Sequence, residues 1–119
     1  MNLRIGIDIG STTVKVVVLD EQNNLLFRSY ERHFSKVREK TCEILERIKD
    51  KLLGHQVRMV ITGSAGLGVS KASGIDFVQE VYATAAAVDT FIPGTDAVIE
   101  LGGEDAKIIF FGGALEERM

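Results

Sequence analysis

Isoleucines alternate with polar or small residues along positions 3–9, where they occupy positions 5, 7 and 9. A period of two is typical of a strand with one buried face. Residues 13–19 are mostly β-branched, and residues 25–32 follow a polar turn at 20–24. We therefore predict three consecutive strands joined by short turns, with the third strand at the edge of a sheet.

The spacing of apolar residues changes after residue 35, where they recur every three or four positions up to residue 52. This spacing predicts an amphipathic helix with Ser35 as its N-cap and Gly54 as its stop. A strand at 57–62, a glycine-rich turn at 63–68, a short helix, a short strand near 75–78 and a helix at 80–91 follow. This order is that of a ribonuclease H-like α/β domain, whose mixed sheet combines antiparallel and parallel strands.

A further pair of apolar strands is predicted at residues 97–101 and 106–111, followed by a turn at Gly112 and Gly113. We expect residues 1–94 to form the ribonuclease H-like domain and residues 95–119 to begin a second, similar domain. Because the chain stops at Met119, we expect no further element after this hairpin. We therefore expect this chain to be a truncated piece of a longer protein.

The charge pattern argues against several classes of partner. The net charge is -3, with both signs scattered along the chain, and no apolar run approaches the length of a membrane span. We expect a cytoplasmic protein with neither nucleic acid nor a membrane as partner.

Cys42 is predicted to be a core or half-buried thiol of the helix, and His33 and His55, beside helix ends, are predicted to be surface residues.

One layout of residues occurs twice, 92 positions apart. Residues 7–15 read Ile-Asp-Ile-Gly-Ser-Thr-Thr-Val-Lys, and residues 99–107 read Ile-Glu-Leu-Gly-Gly-Glu-Asp-Ala-Lys. Each segment has a carboxylate, a glycine two positions later, and a lysine five positions after the glycine. A hairpin turn of small residues exposes backbone N–H groups that can cradle phosphate oxygens, and the carboxylate beside it suits hydrated Mg²⁺. A glycine that merely closes an ordinary hairpin is the alternative for each segment taken singly.

These two segments resemble the phosphate-1 and phosphate-2 motifs of the BadF/BadG/BcrA/BcrD ATPase family. The similarity covers essentially the whole chain, and within the family it is strongest to CoA-substrate-specific enzyme activases of the 2-hydroxyacyl-CoA dehydratase activator type. The resemblance implies an actin, sugar kinase and heat-shock chaperone type of fold that binds ATP and Mg²⁺. It also implies a homodimer sharing one iron-sulfur cluster, in which ATP hydrolysis drives a low-potential electron from an electron donor into a dehydratase-like partner enzyme.

The resemblance also implies a role for each motif residue. Asp8 would hold Mg²⁺ through water, and Glu100 and Glu104 would act in catalysis near the metal and the γ-phosphate. Phosphate and nucleotide contacts would come from the two turns and the first lysine, namely Gly10, Ser11, Thr12, Thr13, Lys15, Gly102 and Gly103. The cluster cysteines of the family lie beyond the second hairpin, so this chain alone would bind no cluster, and we expect it to bind nucleotide weakly and to turn over negligibly.

The sequence departs from the family pattern at a few positions. Glu100 stands where aspartate is usual, Thr84 where histidine is common, and the glycine-rich turn after residue 62 lacks the usual Gly-Tyr-Gly-Arg. Two alternatives to the activase stay open: a small-molecule kinase of the N-acetylglucosamine type, and an actin-like or chaperone-like ATP switch.

Overall fold

The computed structural model describes residues 2–102, 105–110 and 116–118. Contacts divide the chain into two compact units, Met1–Phe77 and Val78–Met119. Among the described residues, no helix combines the length and the apolar character that crossing a lipid bilayer requires.

The first unit contains a five-stranded mixed sheet and two helices. Its elements are β1 (Asn2–Ile9), β2 (Thr13–Leu19), β3 (Leu25–Arg32), α1 (Val37–Leu52), β4 (Gln56–Thr62), α2 (Gly66–Ser73) and β5 (Asp76–Phe77). The strand order is β3-β2-β1-β4-β5. The strands β1, β2 and β3 pair antiparallel, whereas β4 runs parallel to both β1 and β5. The predicted ribonuclease H-like mixed sheet is confirmed.

One face of this sheet forms the core. The isoleucines of β1 alternate with more exposed residues. Their buried side chains pack in one cluster with the inward-facing residues of β2 and α1, namely Val14, Val16, Val18, Ile44 and Ile48. Each fully buried isoleucine stabilises the fold by roughly 1.5–3 kcal/mol. The same alternation places Asp8 and Lys15 on the opposite face, so the hydrophobic pattern determines which face carries the polar residues.

The connection between β3 and α1 differs from the prediction. The helix begins at Val37, and its N-cap residue is Lys36, which makes no side-chain capping bond. Ser35 is not the cap because it lies in a tight turn with a φ of 62°, next to Phe34 with a φ of 50°. The predicted surface position of His33 is also wrong, since this side chain is buried beneath that turn.

The predicted burial of Cys42 is wrong as well, because its side chain is exposed. The buried residues of α1 are Thr41, Ile44 and Ile48, which define a narrow stripe. Cys42 follows Thr41 by one position, and a single helical step rotates a side chain by about 100° away from such a stripe. His55 is exposed, as predicted.

The second unit contains α3 (Glu80–Phe91) and the strands β6 (Ala97–Gly102), β7 (Asp105–Phe110) and β8 (Glu116–Arg118). These strands form an antiparallel sheet in the order β6-β7-β8. The expectation that no element follows the second hairpin is wrong, because β8 pairs with the outer edge of β7. The predicted turn at Gly112 and Gly113 lies outside the described residues, and the domain boundary near residue 94 stays a prediction.

An ion pair ties the edge strand β3 to α1. Both nitrogens at the end of the Arg47 guanidinium donate to the two carboxylate oxygens of Glu31, each at 2.7 Å. The hydrogen bonds from Arg47, and then the one from the Ser29 hydroxyl, lower the pKa of Glu31 from 4.5 to about 2. The carboxylate therefore stays charged in the folded protein at pH values where it is protonated in the unfolded chain.

Glu31→Gln is expected to lower the free energy of unfolding at about pH 7, where the wild-type pair is fully formed. Because the folded-state pKa of Glu31 is depressed, the pair's contribution to the free energy of unfolding is fully present above pH 4.5. It is lost as the pH falls toward about 2. Urea unfolding at several pH values should show the difference between wild type and variant shrinking over that range. Glu46→Gln is the control, since Glu46 is 68% exposed and pairs with Lys49 of its own helix. Equal effects of the two substitutions would contradict the prediction.

Candidate functional site

The turn between β1 and β2 is closed by a hydrogen bond from the Gly10 amide to the Thr13 carbonyl, at 2.9 Å. The backbone of Gly10 does not have a positive φ. A Cβ built at this position would meet nothing closer than Thr13 backbone and hydroxyl oxygens at 3.8 Å, an ordinary contact. The turn geometry therefore does not demand glycine here, and the missing side chain leaves space beside the turn.

His33 contacts this turn twice. Its backbone amide donates to the Thr12 carbonyl at 3.0 Å, and its ring Nε2 lies 3.0 Å from the Gly10 carbonyl. Sequence reasoning missed this residue. A usable signal was the antiparallel pairing of β3 with β2, because the register that aligns Thr13 with Arg32 brings the next residue, His33, beside Thr12.

Asp8 lies in a row of side chains that crosses four strands on the face opposite the core. The backbone register pairs Asp8 with Lys15 of β2 and with Thr62 of β4, and it pairs Lys15 with Tyr30 of β3. The Lys15 ammonium is 3.8 Å from the Asp8 carboxylate and 5.1 Å from the centre of the Tyr30 ring. Since the side chains of Lys15 and Asp8 are 44% and 36% exposed, water weakens their attraction and both remain accessible to a ligand.

The end of β4 approaches Asp8 closely. A Cβ at Gly63 would lie 2.6 Å from an Asp8 carboxylate oxygen and would also collide with the Ile9 carbonyl oxygen. That carbonyl accepts a hydrogen bond of 2.9 Å from the Ala65 amide. Gly63 has a φ of 103°, a conformation that residues with a side chain rarely adopt. Glycine is therefore required at this position by both space and backbone conformation.

Thr62, directly beside Asp8 in the sheet, adds a buried polar atom to the site. Its hydroxyl oxygen is buried and makes no hydrogen bond among the described residues. A buried hydroxyl left unpaired costs about 1–3 kcal/mol, so such atoms usually have a ligand or water as partner. The donors and acceptors around Asp8 fit a magnesium-bound phosphate: a carboxylate suited to hydrated Mg²⁺, a lysine ammonium, and a turn with room for phosphate oxygens.

The second hairpin repeats the register of the first. Glu100 pairs with Lys107 across β6 and β7, as Asp8 pairs with Lys15 across β1 and β2. Glu100 is exposed, and its carboxylate lies 3.5 Å from the hydroxyl of Thr84, at the long limit of a hydrogen bond. The internal repeat of the sequence therefore corresponds to a repeat in backbone pairing.

The turn of the second hairpin contains the other residues that were predicted for this site. Gly102 ends β6, opposite Asp105. Gly103 and Glu104, which the sequence also assigned to this site, lie outside the described residues. The roles predicted for the residues of both hairpins stay predictions.

Comparison with known proteins decides the family. The profile of the BadF/BadG/BcrA/BcrD ATPase family matches residues 5–119. The chain belongs to this family. An uncharacterized protein of Methanocaldococcus jannaschii is 26% identical over 106 residues, which are 88% of this chain and 42% of that protein.

Two solved structures have the same fold as this member of the ATPase family. The Acidaminococcus fermentans (R)-2-hydroxyglutaryl-CoA dehydratase component A matches 99% of this chain and 48% of its own, with a TM-score of 0.80 and 18% identity. The Clostridium difficile activator of 2-hydroxyisocaproyl-CoA dehydratase, solved with bound ADPNP, matches 98% of this chain and 45% of its own, with a TM-score of 0.77 and 24% identity. The likeness confirms the actin-like ATPase fold. The chain spans less than half the length of each of these three relatives.

Gly63→Ala is expected to destabilise the first unit by more than about 2 kcal/mol, because it adds a collision with the Ile9 carbonyl to the strain of a positive φ. Gly54→Ala is the matched control: Gly54 also has a positive φ, of 81°, but a Cβ there meets nothing within 4 Å. Chemical denaturation of both variants measures the difference. Equal losses of stability would show that the close approach to Asp8 does not constrain position 63.

Proposed function

We propose that this chain is the first phosphate-binding part of a cytoplasmic activator ATPase. The full-length protein couples binding and hydrolysis of ATP to electron transfer into a 2-hydroxyacyl-CoA dehydratase or a related enzyme that acts on a CoA substrate. Membership of an ATPase family supports ATP as the ligand, and the likeness to two dehydratase activator components supports the activator role. Fold likeness alone does not specify function, so the proposal depends on the chemistry of the site.

The observation that carries the proposal is the glycine at position 10. A hairpin turn whose conformation tolerates a side chain has no structural reason for glycine, whereas a ligand that approaches the backbone closely excludes a Cβ. Asp8 lies two residues before this glycine at the end of β1, on the polar face of the sheet. Room for phosphate and a carboxylate for its metal therefore occur at the same end of the same strand.

The residues of the first hairpin have separable roles in this proposal. Asp8 holds water molecules of a hydrated Mg²⁺, since Mg²⁺ dehydrates reluctantly and binds through few carboxylates. Lys15 neutralises phosphate charge, and its contact with the Tyr30 ring limits where its ammonium can lie. Because the Gly10 amide is already bonded to Thr13, the phosphate contacts fall to the remaining amides of the turn. When bound, the metal would withdraw charge from the phosphates and lower the barrier to hydrolysis.

The proposal for the full-length protein is a homodimer that receives electrons from a donor and passes them to the dehydratase-like partner enzyme. Glu100 and Glu104, with Gly102 and Gly103, are proposed to serve the phosphates from the second hairpin. An iron-sulfur cluster does not fit the residues of this chain, whose single cysteine, Cys42, lies exposed on α1. Cysteine ligands for a cluster require several thiolates, so we assign no step of this chain to it.

Asp8→Asn in the full-length protein is expected to lower the rate constant of ATP hydrolysis by about a hundredfold or more, because the amide cannot balance the charge of the metal. Asp50→Asn, an exposed carboxylate of α1, is the control and should hydrolyse ATP like the wild type. Phosphate release is measured with and without a 2-hydroxyacyl-CoA dehydratase. Equal rates in the two variants, or phosphate transfer to an added sugar in place of water, would contradict the proposed activator ATPase.

Gly10→Ala is expected to keep the stability of the wild type and yet weaken ATP binding about tenfold, because the added methyl group occupies space meant for phosphate. Thermal unfolding and calorimetric titration with ATP and Mg²⁺ separate the two effects. If stability falls and ATP affinity does not, then the fold requires this glycine, and the observation that carries the proposal is lost.

A further inference from the structure

The turn from β3 into α1 holds two residues in an unfavourable backbone conformation. Phe34 and Ser35 have positive φ values of 50° and 62°, although neither is glycine. The Lys36 amide donates to the His33 carbonyl at 2.8 Å and closes a tight four-residue turn. Positive φ is costly for residues with a side chain and persists only where surrounding contacts impose it.

The buried His33 ring is one of those contacts. The Ser35 amide donates to its Nδ1 at 3.0 Å, so Nδ1 must be the unprotonated nitrogen of a neutral ring. The proton then lies on Nε2, which donates to the Gly10 carbonyl at 3.0 Å. His33 as a whole is 5% exposed, so both bonds are shielded from water. One side chain thus links the strained turn to the β1–β2 turn.

Two carbonyls of the β1–β2 turn are therefore directed toward His33, those of Gly10 and Thr12. A trans peptide group is planar, and its N–H points opposite to its C=O. The described chain has no cis peptide bonds. Fixing the Gly10 carbonyl therefore turns the Ser11 N–H away from His33, and fixing the Thr12 carbonyl turns the Thr13 N–H away from it.

We infer that His33 is a positioning residue for nucleotide binding, which aims amide groups of the β1–β2 turn at phosphate oxygens. This inference rests on the proposed function, because it assigns a ligand to those amides. His33 itself touches no phosphate. It keeps the turn in a binding conformation before the nucleotide arrives, and such preorganisation improves affinity by reducing the ordering that binding requires.

Two substitutions separate the two bonds of the ring. Asparagine places its oxygen near the position of Nδ1, so His33→Asn retains an acceptor for the Ser35 amide but loses the bond to Gly10. Glutamine reaches the position of Nε2, so His33→Gln retains a donor to Gly10 but loses the acceptor. His55→Gln is the matched control, because His55 is exposed and lies after α1.

The experiment measures ATP affinity by calorimetry with Mg²⁺, and the melting temperature, for these variants of the full-length protein. His33→Asn should weaken ATP binding about threefold to tenfold, with His33→Gln closer to wild type. The melting temperature should instead be lower for His33→Gln than for His33→Asn. A merely structural histidine would give the same order in both measurements, and that result would overturn the inference.

NMR of the ¹⁵N-histidine-labelled wild type supplies a second readout, with the His33 signal assigned by its loss in the His33→Asn variant. A ring protonated at Nε2 alone is expected, and a proton on Nδ1 would overturn the inference because Nδ1 could not then accept from Ser35. His33→Asn binding ATP as tightly as His55→Gln would overturn the inference and leave the proposed function intact. Failure of the wild type to bind ATP would overturn both.

Discussion

The close approach of the ends of β1 and β4 is the constraint on which the candidate site depends. Parallel pairing brings Thr62 beside Asp8, and the chain can turn out of the sheet there only because Gly63 has no side chain. The Ala65 amide then bonds to the Ile9 carbonyl and fixes the exit of the chain. The polar end of β1 is thereby enclosed by β2 on one side and by the β4 exit on the other.

The buried isoleucines of β1 make this enclosure rigid. A strand in the middle of a sheet, packed on one face against a helix, has few alternative registers, since a slip by one residue would bury Asp8 and expose the isoleucines. Functional groups at the end of such a strand keep their positions at little cost. The same logic applies to the second hairpin, where the pairing of Glu100 with Lys107 repeats that of Asp8 with Lys15.

Most of the fold could be predicted from the sequence because hydrophobic periodicity reports directly on strands and helices. The errors fall where backbone and side-chain hydrogen bonds override that pattern. Ser35 has the chemistry of an N-cap, but its amide bonds to the His33 ring and the residue is held in the preceding turn. The burial of His33 has no periodic signal, since it depends on contact with residues more than twenty positions earlier. The strand Glu116–Arg118 is too short and too charged for periodicity to indicate.

The candidate site could be predicted from the sequence only in part. The repeated carboxylate, glycine and lysine positions identified Asp8 and Lys15, which the register brings together. The sequence did not distinguish a glycine that the fold requires from one that it tolerates, because that distinction depends on distances. Gly63 has no space for a side chain, whereas Gly10 has it. The proposed phosphate site therefore rests on the glycine that the fold does not require.

The most direct measurement is a crystal structure of the full-length protein with a non-hydrolysable ATP analogue and Mg²⁺. The account predicts phosphate oxygens within about 3 Å of turn amides between Ser11 and Thr13, and a metal-bound water within about 3 Å of the Asp8 carboxylate. A nucleotide whose phosphates lie away from this turn, with Asp8 remote from the metal, would contradict it.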